Sequence, residues 1–440
     1  MTQYVSRRRF IRTGVAVGGA IALAGCTESD DEQPAEEPDT EPEAETRQPE
    51  LPLVEDPPDA VYLPTHFEAM RHLDAVEAGE FELVPMVTYP HQFWNVTGDE
   101  VQIAEPAVDD DVHLMVTVRD PETGTVIPVE SGLEIEVGRE GESTESHVPW
   151  PMISQEMGFH IGDNLPLGED GTYEVDVTVG AVDVERTGEF AGRFEESATG
   201  TFTFEFDQEF RDEVIEGIEY LDEEYWGQPG ALGPMMYGDH GHHGHDDDHH
   251  DHDDDHHDDS DHHPDDDHHD DSEHHPDDDH HEDHNDSGVD HGGFGTYHRE
   301  SGTTELPPVD ELPGELLGEA QSGDAVIAAT VLDAESRFVD EEADDYYLAV
   351  SPRTPYNRGM LPMMTIDATV ERDGEEVVDT QLTDTLDHEF GYHYALRTDD
   401  LEAGDTLTLS FPAPPQVSRH AGYETAFLEI EPVEYTIELP

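Results

Sequence analysis

Residues 168–179 read GEDGTYEVDVTV and residues 201–206 read TFTFEF. In both, apolar and polar side chains alternate one for one. Successive side chains of an extended chain point to opposite faces, so such a run has one buried face and one wetted face. The glycines at 168 and 171 supply a turn just ahead of the first run. VHLMVTV (112–118) and LEIEV (133–137) extend the pattern, and Asp120–Gly124 is a further turn signal. Short strands at turn-bounded spacing predict an antiparallel β-sandwich. One segment differs: Phe210, Val214, Ile218, Leu221 and Tyr225 recur at helical spacing. They predict a single amphipathic helix over 208–226 whose apolar stripe serves packing.

Beyond Leu306 the strand pattern returns, with candidates at Ala325–Leu332, Tyr346–Val350, Ile366–Glu371, Thr406–Phe411 and Tyr435–Leu439. This half repeats the first. HLMVTVRDP (113–121) matches YLAVSPRTP (347–355), and EMGFHI (156–161) matches EFGYHY (389–394), at offsets of 234 and 233. A shared Glu-x-Gly-aromatic-His at nearly constant offset implies an internal duplication. The expected order is a signal over 1–26, a stalk over 27–53, one sandwich with its helix over 54–228, a linker over 229–302 and a second sandwich over 303–440.

Composition narrows the function classes. Asp and Glu number 110 against 18 Lys and Arg, giving a net charge of −92. A protein that binds nucleic acid through a basic surface is excluded, because phosphate contacts need cations. A single Cys excludes disulfide scaffolds and cysteine-cluster zinc sites. Gly-rich phosphate loops, HExxH and a nucleophile–base pair do not stand out, so an enzyme is not expected. The acidity is spread over the chain: setting aside 27–50 and 239–291 still leaves roughly −58. Self-repulsion of that size disfavours a compact state unless it is screened. In molar salt the Debye length is about 3 Å, which points to an extreme halophile.

The N-terminus reads as an address. Residues 6–26, SRRRFIRTGVAVGGAIALAGC, hold the twin-arginine arrangement at Arg7 and Arg8. The apolar run Val15–Leu23 is too short to span a bilayer and fits a signal peptide. Leu23-Ala24-Gly25-Cys26 resembles a lipoprotein box, with lipid expected on the Cys26 thiol. The expected location is the extracellular face of the cell membrane, reached by twin-arginine export and held by that lipid. Residues 27–50, almost without large apolar side chains, are expected to be a disordered stalk.

Between the halves lie three copies of a twelve-residue unit, HDHDDDHHDDSD (250–261), HHPDDDHHDDSE (262–273) and HHPDDDHHEDHN (274–285). The paired imidazoles are His249, His250, His256, His257, His262, His263, His268, His269, His274, His275, His280 and His281. Neutral imidazoles flanked by carboxylates bind borderline divalent ions without fixed geometry. Aspartate alone would serve as a solvated spacer, so the repeated His pairs argue for metal binding in a disordered linker.

Other candidate ligands lie in the sandwiches. His66-Phe67-Glu68 is a His-x-Glu, whose two side chains share one face of a strand; alone it is a weak signal. Pro151-Met152 followed by His160 adds a thioether and an imidazole. Met360, Met363 and Met364 read as core methionines.

The order of these residues resembles a known family. His66, Glu68 and Ala69, a Pro85–Tyr89 strand, Pro151-Met152, Gly158-x-His160 and Gly171-x-Tyr173 are similar to the periplasmic iron-transport lipoproteins of pathogenic bacteria. The resemblance implies two tandem immunoglobulin-like antiparallel β-sandwiches, all-β, with copper or iron held by Met, His and Glu. It implies a homodimer and a ferrous iron permease as partner. It implies His66, Glu68, Met152 and His160 as ligands. A further family ligand, a His in an Arg-His ahead of Glu-Thr, is missing from Val182–Gly188 but present as Arg419-His420 ahead of Glu424-Thr425. The second half also keeps His393 but has no His-x-Glu, so the halves resemble complementary remnants of one site. Trp150 stands where the family carries a second Met.

The expected function is capture of a transition metal, copper or iron with zinc possible, and delivery to a membrane transporter. The rival readings are a zinc or copper buffer acting through the His tract, and a structural or adhesion lipoprotein.

Overall fold

The computed structural model describes residues 51–234 and 305–440 apart from 99, 140, 143, 334–335 and 339–344. The signal with Cys26, the stalk over 27–50 and the His tract over 239–291 lie outside the described residues.

The first half contributes β1 (His66–Phe67), β2 (Arg71–His72), β3 (Val76–Ala78), β4 (Phe81–Thr88), β5 (Phe93–Thr97), β6 (Glu100–Ala104), β7 (Val112–Arg119), β8 (Glu134–Arg139), β9 (Glu145–His147), β10 (Trp150–Ser154), β11 (Gly158–Leu165), β12 (Gly171–Val179), β13 (Glu185–Arg186), β14 (Ala198–Phe206), helix α1 (Gln208–Glu216) and β15 (Glu219–Tyr220). The second contributes β16 (Glu315–Ser322), β17 (Ala325–Leu332), β18 (Tyr346–Arg353), β19 (Thr365–Arg372), β20 (Glu375–Gln381), β21 (Thr383–Asp387), β22 (Gly391–Thr398), β23 (Thr406–Ala413), β24 (Ser418–Arg419) and β25 (Val433–Thr436). The fold is all-β, built as two β-sandwiches.

The alternating runs behave as their pattern dictates. In β12 Tyr173, Val175, Val177 and Val179 are buried, and in β14 Phe202, Phe204 and Phe206 are buried while the intervening residues face water. They belong to the four-stranded sheet β14-β12-β8-β9, which packs its apolar face on the inner face of the large sheet β2-β4-β7-β11-β10-β24-β5-β6. Each fully buried Val, Leu or Phe there contributes about 1.5–3 kcal/mol. The second sandwich repeats the plan with β20-β19-β23-β25 and β13-β21-β22-β18-β17-β16.

β4 and β7 do not alternate, because they are buried on both faces. Leu83, Leu114, Val116 and Val118 point into the sandwich core, while Met86, His113 and Met115 lie on the opposite face and are buried as well. A strand covered on both sides loses the two-residue rhythm.

The duplication extends to the hydrogen bonds. β7 beside β11 corresponds to β18 beside β22, and the pairing registers match. Gly158 and Gly391 both take positive φ, 63° and 67°, at equivalent turns. The two halves also lend each other a strand. β24 of the second half runs parallel to β10 of the first, and β13 of the first half runs parallel to β21 of the second. The next residues are held alike: the His420 amide donates to the Ile153 carbonyl (3.2 Å), and the Thr187 amide to the Leu386 carbonyl (3.0 Å).

The helix is shorter than its periodicity predicts. Asp207 caps it by accepting from the Phe210 amide at 2.8 Å, and Phe210 and Val214 bury its apolar side. It stops at Gly217, where an added Cβ would lie 2.8 Å from the Ala69 Cβ. The chain then becomes β15, whose Glu219 and Tyr220 pair with Phe67 and His66. Ile218, Leu221 and Tyr225 are therefore outside the helix. Close approach to 65–69 fixes this segment, and the apolar spacing does not report it. Likewise β25 begins at Val433 and ends at Thr436, so the last strand starts two residues and ends three residues earlier than its pattern predicts.

Candidate metal centre

On the outer face of the large sheet, four imidazoles and a carboxylate converge. β7 carries His113, fully buried. Its Nδ1–H donates to Asn164 Oδ1 at 2.9 Å, leaving Nε2 as an acceptor. Asn164 also holds the loop that bears His91: Oδ1 accepts from the His91 amide (3.3 Å) and Nδ2 donates to the His91 carbonyl (2.9 Å). β11 carries His160, whose Nδ1–H donates to the Gly158 carbonyl at 3.1 Å and so turns its Nε2 lone pair inward. A second-atom hydrogen bond of this kind fixes the tautomer of a metal-binding imidazole.

His420 arrives from the second half on the end of β24. Its Nε2 stands 3.3 Å from His160 Nε2. Glu68 closes the group: its Oε1 lies 3.5 Å from His91 Nδ1 and 3.5 Å from His420 Nδ1. Donor atoms of His91, His113 and His420 all lie within 4.8 Å of one another.

The electrostatics suit a cation. Burial pushes the His160 imidazole down to about 3 and the His91 imidazole down to about 4, with neighbouring imidazoles adding to it at His160. Burial likewise holds His113 well below the usual imidazole range. Burial works against ionisation of Glu68, but His91, His420 and His66 outweigh it and hold the carboxyl well below its ordinary value. His91, His113 and His160 therefore present neutral nitrogens beside the Glu68 carboxylate. His91 Nε2, His113 Nε2 and His420 Nδ1 are buried and have no hydrogen-bond partner. Orphaned buried lone pairs cost about 1–3 kcal/mol each, and a cation would satisfy them. The residues present thus fit a transition metal.

Sequence-predicted residues divide as follows. Glu68, His160 and His420 meet directly. Met152 is fully buried, opposite His160 and beside Ser418 in register, and so shares their face. His66 lines the entrance cleft with Glu68, Gln155, Glu156, Leu232 and His420. Both its nitrogens are engaged, Nδ1 with Thr65 Oγ1 (2.8 Å) and Nε2 with Tyr89 OH (3.3 Å). In that cleft Glu156 is pushed up to about 8 by burial and by Glu68.

His393 is elsewhere. It repeats the His160 geometry, with Nδ1–H on the Gly391 carbonyl at 3.1 Å, but its Nε2 meets Tyr347 OH at 2.8 Å. Tyr347 stands where the first half has His113, and Thr187 where it has His420. Arg337 grips Asp387 there through two bonds of 2.6 and 2.7 Å. One site is therefore assembled from both halves, and its counterpart is filled by a tyrosine, a threonine and a guanidinium. Met360 and Met364 are buried in the main core and Met363 packs against it.

Sequence reasoning missed His91 and His113. His113 carried a signal, an imidazole inside a run of otherwise apolar strand residues. His91, in a loop after Pro90, carried none.

A family model described as a domain of unknown function (DUF7350) matches residues 310–436. No curated protein matches the chain. Two solved structures of FetP from uropathogenic Escherichia coli strain F11, one a copper-bound variant and one as isolated, are each 18% identical to this chain with a TM-score of 0.24. The likeness covers 32% of this chain and 92% and 95% of theirs.

Proposed function

We propose that this protein binds a transition-metal ion, copper or iron, at the centre formed by Glu68, His91, His113, His160 and His420, and passes it to a membrane transporter. The observation that carries the reading is the convergence of orphaned imidazole nitrogens from both halves on one ionised carboxylate. Imidazole and carboxylate with Met152 alongside give a mixed borderline and soft donor set, which suits copper in either oxidation state and tolerates Fe(II). Its chemistry is capture and release, and the chain acts as a binding protein rather than an enzyme. Because His420 comes from the same chain, a second copy is not needed to complete the centre. The LAGC box and twin-arginine pattern support export and anchoring at Cys26, and the His tract supports local gathering of ions.

Cu(II) titration of a variant lacking 239–291 tests the centre. His160→Ala, His420→Ala and Glu68→Ala should each weaken binding about tenfold or more, some 1.4 kcal/mol, and His393→Ala should leave it unchanged. Unaltered affinity in the first three would transfer the function to the tract, as a zinc or copper buffer.

A further inference from the structure

Beside the imidazole centre, on the same face of the large sheet, lies a cluster of Met86, Met115 and Met157, fully buried, with Met70 packed against it. Met86 and Met115 are direct cross-strand neighbours on β4 and β7. His113, two residues from Met115, points to the same side. Gly162 of β11 opens the space between them: a Cβ there would lie 3.1 Å from His113 Nε2 and 3.3 Å from Met115 Cγ. The imidazole that serves the centre and the first thioether of the cluster therefore rest over the same missing side chain.

The second half shows what this position needs for packing alone. By register, Met86 corresponds to Thr330, Met115 to Ala349, Met157 to Phe390 and Gly162 to Ala395. Ala349, Phe390 and Ala395, with Leu332 and Phe338, form a compact cluster without sulfur. The same fold position is thus filled adequately by alanine and phenylalanine. Sulfur is present at this position in the half that has the imidazoles and absent from the same position in the half that has Tyr347 and Thr187 instead. Packing does not account for that difference. Thioether is a soft, polarisable donor that selects Cu(I) over divalent ions.

We propose that Met86, Met115 and Met157, with Met70 at the rim, form a thioether site for Cu(I), adjoining the imidazole centre through His113. The proposal deepens the metal-binding reading and rests on it for the class of metal, but its sulfur signature is tested separately. The probe is Cu(I) itself, added without oxygen to the full chain carrying Cys26→Ser, so that no thiolate competes. With methionine methyls labelled with carbon-13, the resonances of Met86, Met115 and Met157 should move together on the first equivalent, and X-ray absorption should report copper–sulfur scattering. The tract over 239–291 contains no sulfur and cannot supply it. The triple variant Met86→Leu, Met115→Leu, Met157→Leu conserves volume. It should lose the scattering and at least about tenfold in Cu(I) affinity, read by competition with a chromophoric chelator, while Cu(II) binding stays unchanged. Shifts confined to Met152, Met235 or Met236, or a triple variant with unchanged Cu(I) affinity, would overturn the site. Loss of the imidazole reading, seen as Cu(II) affinity indifferent to His160→Ala, would leave the sulfur result standing.

Discussion

Gly162 matters for the side chain it lacks. Its φ is not in the left-handed region, so backbone strain does not demand glycine, and its counterpart in the second half is Ala395. What demands it is the space taken by the Leu114 carbonyl, at 3.0 Å from an added Cβ, together with His113 Nε2 and Met115. Gly162→Ala should therefore leave stability within about 1 kcal/mol of the parent while lowering Cu(II) affinity about tenfold; chemical denaturation and metal titration of one preparation check both. This is the kind of determinant that sequence does not reveal. Glu68, His160 and His420 could be picked out because they sit in short recognisable patterns. His113 was hidden by its own strand, since an imidazole among Val, Leu and Met reads as core when the outer face of the sheet is assumed to be wet. His91 depends on Asn164, 73 positions away in the chain, and no local pattern marks that.

The longer strands were readable because one wetted face imposes a rhythm, and β12, β14, β17 and β23 start within two or three residues of their predicted limits. The two-residue strands β2, β13, β15 and β24 were not, because a neighbour's hydrogen bonds define them and they have no pattern of their own. β13 delivers Thr187, whose Oγ1 donates to Asp387 Oδ2 at 2.8 Å, into a pocket already closed by Arg337. Burial works against ionisation of the Asp387 carboxyl, yet the Arg337 guanidinium, the Glu389 amide and Thr187 outweigh it and hold the carboxyl below its ordinary value. A depressed carboxyl stabilises the fold above its unfolded pKa of about 3.9, and that stability is lost as pH falls through the folded value. Asp387→Asn should cost about 2 kcal/mol at pH 7, a modest figure for a buried pair because Arg337 is about one-third exposed. The gap between variant and parent should narrow steadily below about pH 4, as urea unfolding at a series of pH values would show.

Every one of the 18 cationic residues is an arginine. Among the described residues each arginine except Arg353 and Arg419 meets a carboxylate. The exceptions are buried; burial, with Arg358 nearby, pulls Arg353 down to about 10, and burial pulls Arg419 down to about 9. Arg419 instead lies near the Tyr423 and Pro415 carbonyls, at 3.5 and 3.4 Å, and over the Phe427 ring. Among the described residues the exposed cations are thus already paired, and the acids far outnumber them. Raising KCl from about 0.1 M to about 2 M contracts the screening length from about 10 Å to below 3 Å. It should raise the thermal midpoint by more than 10 °C, and sucrose at matched osmolality should not. An insensitive midpoint would refute the halophile reading.

The reciprocal loan of β13 and β24 joins the proposed metal centre to the packing of the two halves. His420 reaches the centre at the end of β24, which pairs Met152 with Ser418 and Ile153 with Arg419, takes Trp94 on its other side and is buried along its length. By reciprocity, an ion bound there as proposed would hold the two halves together with the same free energy that their packing lends to the ion.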